Sequence, residues 1–369
     1  MPTPTPSLPS PRTWAADDLI TTPRLRADVA NAVAFLAQRP YLVGQNNSGG
    51  PIATNTNTPV GLNLELTDAW NTHITSGSQN SQVFAPVPGW YLARNALAFT
   101  GGGQIAAGFN WTTGGAATSG VRGAVVANTS TQSLTAQCCD LIEQTASGPQ
   151  GGSGDWIQPF CYQNTGSAAN LANGTGLSAP LPTVSVRWVC AVSGAQPLPV
   201  PPLTAVPSPI THAWMNASIR DTINFLAYPP IMKAVYTPGS LTLANSSIAS
   251  PATVPCGTVA VDNYGGYSTS TYTYTAPVAG RYYLYGQANL AAAGSATYLA
   301  AGLSVNGGTA QWGDIAGYPA SLAGGASVTR RLRLNAGDTV KLVAAQASGS
   351  AIAYNAGNQS RFIAVWDGI

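Results

Sequence analysis

The sequence has few charged residues and few of the side chains that most enzymes use for catalysis. Only 8% of its 369 residues are Asp, Glu, Lys or Arg, whereas an average domain has roughly a quarter. Histidine occurs only at His73 and His212, and glutamate only at Glu65 and Glu143. Nucleophile-elbow, zinc-protease and phosphate-loop motifs are all missing. These shortages predict a protein that is not an enzyme and that binds neither a cofactor nor a metal ion.

The chain also lacks a strong net charge and long apolar runs. Its net charge is +2 at pH 7 and its arginines are scattered, so it offers no basic patch for nucleic acid. No apolar run approaches the roughly 18 residues that span a bilayer. The first residues, MPTPTPSLPSPRTW, have neither the basic start nor the apolar centre of a signal peptide. We therefore expect no nucleic-acid partner, no membrane insertion, and assembly in the cytoplasm of the producing cell.

Cysteine is present in an odd number and without the spacing of a metal site. No C-x-x-C pair occurs, which argues against zinc. In a reducing compartment buried free thiols are favoured, and a disulfide between Cys161 and Cys190 is the alternative. The cysteines are Cys138, Cys139, Cys161, Cys190 and Cys256.

What the sequence does contain is a long internal repeat. The phrase LRADVANAVAFLAQRP at 25–40 returns as MNASIRDTINFLAYPP at 215–230. Each phrase has apolar residues at helical spacing and ends at proline, which stops a helix. Thr22 in the first copy and Thr211 in the second are suitable N-caps. The repeat predicts one short amphipathic helix in each copy.

Each predicted helix carries one apolar stripe that needs a surface to pack on. A helix of about four turns is not stable alone in water, so we interpret both as docking helices. We expect an aspartate at Val33 or Ile223 to be strongly destabilising, because it would bury an unpaired carboxylate. The stripe residues are Leu25, Val29, Val33 and Leu36 in the first copy and Met215, Ile219, Ile223 and Leu226 in the second.

The repeat continues beyond the helices as β-strand phrases. Alternation in RRLRLNAGDTVKLVA, at 330–344, predicts a pair of strands joined by a polar turn. Short strands separated by glycine, asparagine and proline predict a β-sandwich in each copy. Four phrases recur in order: 85–92 matches 276–284, 106–115 matches 300–308, 134–143 matches 332–341, and 184–189 matches 361–366.

The order of phrases in the second copy resembles the C1q/tumour-necrosis-factor-like jelly roll. That family has a P-x-x-G-x-Y opening, an L-x-L-x-x-G-D-x-V-x-L strand pair and an aromatic closing strand. The sequence has YTAPVAGRYYLYG, RLRLNAGDTVKLVA and RFIAVW in that order. The resemblance covers about 234–369 and, more loosely, 43–192, where Cys139 stands in place of the turn residue Gly337. It implies a mainly β chain of two tandem jelly-roll sandwiches, each preceded by one helix, and a homotrimer.

Two proline-rich stretches, MPTPTPSLPSP and AQPLPVPPLTAVPSP, favour extended segments with polyproline II character. They complete a predicted organisation in six parts. The parts are an N-terminal arm at 1–20, a docking helix at 21–40, a jelly-roll module at 41–192, a linker at 193–209, a second docking helix at 210–230 and a second jelly-roll module at 231–369.

The segment PRTWAADDLITTPRLRADVANAVAFLAQRP, at 11–40, resembles the start of structural proteins of tailed phages that infect actinobacteria. In that family a P-R-T-W phrase and a helix ending in F-L-x-x-P precede a β module. Leu25-Arg26 departs from the family's Leu-Asn, whereas Met215-Asn216 in the second copy is closer. The resemblance implies location in a virion, as a minor tail protein or a capsid-surface protein, with other tail or capsid proteins as partners.

The aromatic residues of the second copy give two further alternatives. They are candidates for packing between the subunits of a trimer or for stacking on a host-surface glycan. The sequence thus predicts a non-catalytic virion protein attached through its arm and helices. A capsid decoration or head-fibre protein and a glycan-recognising receptor-binding module are alternatives. The candidate contact residues are Tyr264, Tyr267, Tyr272, Tyr274 and Trp312.

Overall fold

The computed structural model describes most of the chain. Most of the predicted arm, all of the predicted linker and the candidate cap Thr22 lie outside the described residues. The described residues are 13–16, 18, 21, 24, 29–68, 70–100, 103–123, 126–128, 134–146, 154–164, 166, 169–171, 181–192, 211–236, 239, 241–291, 298–316, 324–355 and 360–368.

The first copy folds as one helix followed by short antiparallel strands, which we call module one. Its elements are α1 (Asn31–Ala37), β1 (Tyr41–Gln45), β2 (Gly50–Ile52), β3 (Thr58–Pro59), β4 (Leu64–Asp68), β5 (Val83–Phe84), β6 (Gly89–Thr100), β7 (Gly103–Thr113), β8 (Ala116–Arg122), β9 (Val126–Asn128), β10 (Leu134–Gln144), β11 (Trp156–Gln163), β12 (Ala169–Leu171) and β13 (Thr183–Cys190).

The second copy repeats this plan, and its strands form module two. Its helix is continuous from 212 to 227 but contains a π-helical turn. The elements are α2 (His212–Met215), the π-helical turn (Asn216–Arg220), α3 (Asp221–Ala227), β14 (Ile231–Val235), β15 (Thr242–Leu243), β16 (Ala252–Thr253), β17 (Thr258–Asp262), β18 (Tyr267–Ser268), β19 (Thr273–Thr275), β20 (Gly280–Leu290), β21 (Leu299–Val305), β22 (Gln311–Ala316), β23 (Gly324–Leu334), β24 (Thr339–Gln346), β25 (Ile352–Ala353) and β26 (Arg361–Gly368).

Module two is a sandwich of two antiparallel sheets. One sheet has the order β17-β14-β26-β20-β23, and the other has the order β18-β19-β24-β21-β22 with β16 beside β24. The chain crosses repeatedly from one sheet to the other, as in a jelly roll. Between the sheets lies an apolar core that includes Tyr282, Leu284, Leu342 and Phe362.

Module one has the same strand order. The series β4-β1-β13-β6-β10 corresponds to the first sheet of module two, and β11, β7 and β8 correspond to β24, β21 and β22. Strands β2 and β12 extend the first sheet of module one. The predicted fold class, a mainly β chain of two tandem jelly-roll sandwiches each preceded by a short helix, is confirmed.

One predicted match between the copies is wrong. Residues 134–143 do not correspond to 332–341, because they lie within the single strand β10, which pairs along its whole length with β6. The counterpart of β10 is β23, which pairs in the same way with β20. Cys139 is therefore a buried residue in mid-strand and does not take the place of Gly337 in the turn.

The predicted strand pair at 330–344 also needs correction. Strands β23 and β24 follow each other in the chain, and Asp338 N–H donates to the Asn335 carbonyl oxygen, at 3.1 Å, in the turn between them. However, β23 pairs with β20 in one sheet and β24 pairs with β21 in the other. The turn therefore joins the two sheets, and it closes no hairpin.

A glycine at the start of β6 and of β20 admits a tryptophan from the last strand of each module. A Cβ atom on Gly89 would lie 2.1 Å from the Trp188 indole nitrogen, and one on Gly280 would lie 2.2 Å from that of Trp366. Each indole N–H donates to the carbonyl oxygen of the residue before the glycine, at 3.2 and 3.3 Å. These two tryptophans form the surfaces on which the helices pack.

The two modules pack against each other through their first sheets. Strands β6, β10 and β13 of module one contact β14, β20 and β26 of module two, so the outer faces of both sheets are buried there. The buried apolar residues of this interface are Trp90, Leu92, Cys139, Leu141, Val189, Cys190, Ile231, Tyr283, Tyr285, Ile363 and Val365.

Candidate functional site

Each helix is anchored to its own module by one phenylalanine. The ring of Phe35 meets the ring of Trp188 edge-on, with centroids 5.1 Å apart, and Phe225 meets Trp366 in the same way at 5.0 Å. Both phenylalanines are buried. Edge-to-face pairs of this kind add to the stability gained from burial. The anchoring residues are therefore phenylalanines that the predicted stripes did not include.

The predicted stripe residues differ in exposure. Met215 and Ile223 are buried, whereas Val33 is 52% exposed, so the expected burial of Val33 within the chain is wrong. Val29, Leu36, Ile219 and Leu226 are half-buried, and the side chain of Leu25 lies outside the described residues. The first helix turns Ala32 and Phe35 towards its module, and Leu36 of the stripe packs partly against the core of that module, which leaves Val33 on the exposed side of the helix. Whether the stripes dock on a partner stays a prediction.

The partly exposed stripe residues face each other across a groove between the two helices. This cavity, which we call the helix groove, has a volume of about 410 Å³. Its walls are mostly apolar and it opens to solvent. The lining residues are Val29, Val33, Leu36, Ala37, Arg39, Ser218, Ile219, Thr222, Ile223 and Leu226.

The segment around Trp14 is held against the second helix. Trp14 N–H donates to Asn216 Oδ1 at 2.7 Å, and Asn216 Nδ2 donates to the Trp14 carbonyl oxygen at 2.9 Å. Arg220 Nη1 donates to Thr13 Oγ1 at 3.0 Å. Trp14 is only 3% exposed. Residues 13 and 14 of the predicted arm thus lie beside the second helix.

The second helix begins as predicted. Thr211 has an extended backbone, and its side-chain oxygen accepts a hydrogen bond from Trp214 N–H at 3.2 Å. This is the geometry of an N-cap residue. His212 follows as an exposed residue in the first turn.

A second cavity adjoins the helix groove at the seam between the modules. It has a volume of about 590 Å³, and its charged lining residues are Arg39, Arg187, Arg331 and Asp367. We call it the seam cleft. Asp367 accepts from Arg187 Nη1 at 2.6 Å and lies 3.3 Å from Arg331 Nε. The remainder of the lining is Leu36, Ala37, Gln38, Pro40, Tyr41, Trp188, Val189, Leu226, Trp366 and Gly368.

The candidate tyrosines serve mainly to hold module two together. Tyr274 is 1% exposed and packs on Tyr282 in the core, so it is not available to a partner subunit or a glycan. The Tyr264 hydroxyl donates to the Tyr228 carbonyl oxygen at 3.1 Å. The Tyr267 hydroxyl donates to the Cys256 carbonyl oxygen at 2.9 Å.

The other two candidate aromatic residues are half-buried. Tyr272 has a positive φ of 53° in the turn before β19. The Trp312 ring lies over Gly302, where a Cβ atom would come within 3.0 Å of it, and the Trp312 carbonyl oxygen accepts from Arg330 Nη2. Tyr274 is therefore excluded as a contact residue, and contact roles for the other four candidates stay predictions.

His73 is buried in module one. It is 1% exposed, and its Nδ1 lies 2.8 Å from Glu65 Oε1. Its Nε2 lies 2.8 Å from the Asn80 carbonyl oxygen. The imidazole thus joins β4 to the loop that follows it.

All five cysteines are buried free thiols, so the alternative disulfide between Cys161 and Cys190 is not formed. Burial raises the pKa of Cys161 to about 12, and the same cause raises the pKa of Cys190 to about 12. Thiols with such pKa values are poor nucleophiles and metal ligands at neutral pH. In the described part of the chain, no three His, Cys, Asp or Glu residues are placed to share a metal ion. None of the helices described there has the length and apolar character needed to cross a membrane.

Comparison with known proteins gives matches to solved structures alone. No protein-family model and no curated protein sequence matches this chain. The globular domain of the zebrafish complement 1qA protein matches with a TM-score of 0.28 and 15% identity, covering 41% of this chain and 96% of that domain. Murine APRIL at pH 8.0 matches with a TM-score of 0.28 and 12% identity, covering 37% of this chain and 98% of APRIL. The jelly-roll assignment made above rests on the strand order of the two modules.

Proposed function

We propose that the chain is a non-catalytic structural protein of a tailed-phage virion that attaches to the particle through its paired helices. The observation that carries this proposal is the helix groove, where apolar side chains from both copies of the repeat face solvent. An exposed apolar surface of this kind is typical of a binding site for another protein. Minor tail protein, capsid decoration protein and head-fibre protein are all placements that the P-R-T-W phrase and helix resemblance support.

The position of the N-terminal segment supports attachment at this end of the molecule. Thr13 and Trp14 contact the second helix, and the first helix lies on the other side of the helix groove. The three segments that we interpret as attachment elements therefore lie together, although they are far apart in the sequence. A partner that binds here contacts both copies of the repeat.

We also propose that the protein assembles as a homotrimer. Module one has an uncovered apolar face on β1 and β4, where Tyr41, Leu64 and Leu66 are 42%, 36% and 55% exposed. The corresponding strand of module two, β14, is covered by module one. Contact between copies through the uncovered face would bury these side chains, and closed rings are the rule for homo-oligomers.

Attachment is tested by placing a charge in the helix groove. Val33→Asp should leave the protein folded because Val33 is exposed, yet it should abolish incorporation into particles. Leu241→Asp is the matched control, since Leu241 is 49% exposed on module two and does not line the groove. Incorporation is measured by quantifying the protein in purified virions. Equal incorporation of both variants at the parental level would mean that the groove is not the attachment site.

Trimer formation is tested by light scattering and by Leu66→Asp. The parent should have the mass of three 37.7 kDa chains, and the variant should be a monomer with the same melting behaviour. A parent that scatters as a single chain at micromolar concentration contradicts the proposal.

A further inference from the structure

Among the described residues that line the seam cleft, three are arginines and one is an acid. Three guanidinium groups, those of Arg39, Arg187 and Arg331, line the cleft with Asp367. The Asp367 side chain is 15% exposed and pairs with Arg187, which is 27% exposed, and with Arg331, which is 61% exposed. Arg39 Nη2 donates to the Leu226 carbonyl oxygen at 3.2 Å, and its guanidinium group lies over the Trp188 ring, 5.7 Å from the ring centroid. The cleft is thus a cationic site.

Two of these guanidinium groups have buried N–H donors without an acceptor. Arg39 Nε and Arg187 Nη2 are both inaccessible to solvent and make no hydrogen bond. Burial lowers the pKa of Arg39, and the nearby Arg187 charge lowers it further. A buried donor left unpaired costs free energy, and more so when it carries charge. A carboxylate that reached either donor would supply the missing acceptor.

The seam cleft and the helix groove form one continuous surface. Leu36, Ala37, Arg39 and Leu226 line both cavities. An occupant that fills the apolar groove therefore reaches the arginines at one end. A simple anion or an acidic sugar would use only the cationic part and leave the apolar side chains exposed. The combined shape fits a polypeptide that carries apolar side chains along its length and a carboxylate at one end.

The interface between the modules already contains a site of this type. Asp140 is buried among apolar side chains, with its carboxylate 2.6 Å from Lys233 Nζ and 3.3 Å from Arg361 Nη1. There a strand of one module presents a carboxylate to cationic groups on the sheet of the other. The same chemistry, supplied by a partner chain, would complete the seam cleft.

We propose that the helix groove and the seam cleft together bind an amphipathic segment of a partner protein, whose Asp or Glu carboxylate is held by Arg39 and Arg187. This inference rests on the proposed attachment through the helices and adds the chemistry of the partner. Arg is suited to this role because its planar group can bind a carboxylate through two parallel hydrogen bonds.

The test uses the full-length protein and a pair of labelled model helices. One peptide has leucine at helical spacing and aspartate at both ends, and the other has asparagine in place of aspartate. The aspartate peptide should bind at least about tenfold more tightly by fluorescence anisotropy, because charge-assisted hydrogen bonds are the stronger ones. Equal affinities, or no binding of either peptide, would overturn the proposal. So would tighter binding of a glucuronate oligosaccharide than of the aspartate peptide.

Variants show whether the preference arises in the cleft. Arg187→Gln should remove the tenfold preference for aspartate, and Arg333→Gln should retain it, since Arg333 is an exposed residue of the same charge outside the cleft. Melting curves check that both variants are folded. If Arg187→Gln does not fold, Arg331→Gln is tested in its place, because Arg331 is exposed. This variant should weaken the preference for the aspartate peptide. An unchanged preference in the folded cleft variant contradicts the proposal.

Particle incorporation separates this inference from the proposed function. If Val33→Asp abolishes incorporation while the two peptides bind equally, the helices attach the protein but the carboxylate site is wrong. If Val33→Asp incorporates at the parental level, attachment through the helices is itself wrong.

Discussion

Phe35 and Phe225 are buried and anchor each helix to its module. Neither helix is long enough to be stable alone, and each phenylalanine places its ring edge against a tryptophan of the closing strand. They occupy the same position in the two repeat phrases, 25–40 and 215–230. Their role was missed because helical periodicity gave them less weight than the stripe of aliphatic residues.

Truncating these rings should destabilise the protein far more than truncating the stripe. We expect Phe35→Ala and Phe225→Ala each to cost about 3–5 kcal/mol, because each leaves a cavity under the helix. Val33→Ala should change the free energy of unfolding by less than about 0.5 kcal/mol, as is usual at exposed positions. Urea unfolding measures all three. If Val33→Ala lowers the free energy of unfolding as much as Phe35→Ala does, the first helix packs through its stripe.

Asp155 makes a pH-dependent contribution to the stability of module one. Its carboxylate accepts hydrogen bonds from the backbone N–H groups of Gly114, Gly115, Thr145 and Ala146, at 2.8–3.0 Å. Burial alone would raise the pKa of Asp155, but these donors together hold it below its usual 3.8. The stabilisation is therefore full above pH 3.8 and is lost as the pH falls through the lower folded-state pKa.

Asp155→Asn should reveal this dependence. At pH 7 we expect a loss of about 1.5–3 kcal/mol, typical of hydrogen bonds to a charged group. The difference between parent and variant should shrink once the pH falls below the usual carboxyl value, because the parent then loses its charge too. Urea unfolding across this pH range is the measurement. A difference that does not change with pH would assign the effect to packing.

Among the elements, β10 and β23 show where matching by sequence fails. The two strands have few identical residues at equivalent positions. Their equivalence is seen in the pairing of β10 with β6 and of β23 with β20. The turn at Asn335–Asp338 was correctly predicted from its residues, because turn chemistry is local. Strands β23 and β24 belong to opposite sheets because they pair with β20 and β21, which lie elsewhere in the chain. The alternation of apolar and polar residues alone could not indicate this.

The segment that contains Trp14 is held against the second helix. Asn216→Ala removes both hydrogen bonds to the Trp14 backbone, so we expect the Trp14 amide to exchange about tenfold faster or more. Hydrogen exchange with mass spectrometry measures this. Ser218→Ala is the control, because its hydroxyl lies in the same π-helical turn and makes no hydrogen bond. If Ser218→Ala has the same effect, the change reflects the helix and not the contact.

The whole molecule is held together by the interface between the modules. Asp140 is its one buried carboxylate among the residues that the structure describes at this contact, and it faces Lys233 and Arg361. In β23, the position that corresponds to Asp140 holds Arg330, as the pairing registers show. Module two therefore has no carboxylate at this position to present to module one of another copy. An assembly of copies that leaves this contact intact uses a different pair of surfaces.

Removing the Asp140 charge should weaken the interface strongly. Asp140→Asn removes the carboxylate that the buried Arg361 and the half-buried Lys233 face, which we expect to cost about 3–5 kcal/mol. Glu143→Gln is the matched control, since it removes a carboxylate from a half-buried position of the same strand and should have little effect. Denaturant unfolding of the full chain measures both. Equal stability of the two variants would mean that the ionic cluster does not hold the modules together.

The sequence by itself determined the duplication, the two short helices, the Thr211 cap, the turn chemistry and the alternation of the strands. These features follow from residues that are close in the chain, so their physical causes are local. The tertiary structure alone decided which sheet each strand joins, why Val33 is exposed when its counterpart Ile223 is buried, and where Arg39, Arg187 and Arg331 meet. Those outcomes depend on packing between segments as far apart as Trp14 and Asn216 or Asp140 and Arg361. Such contacts leave no periodic signal in the sequence, because each partner's position is set by the fold that surrounds it.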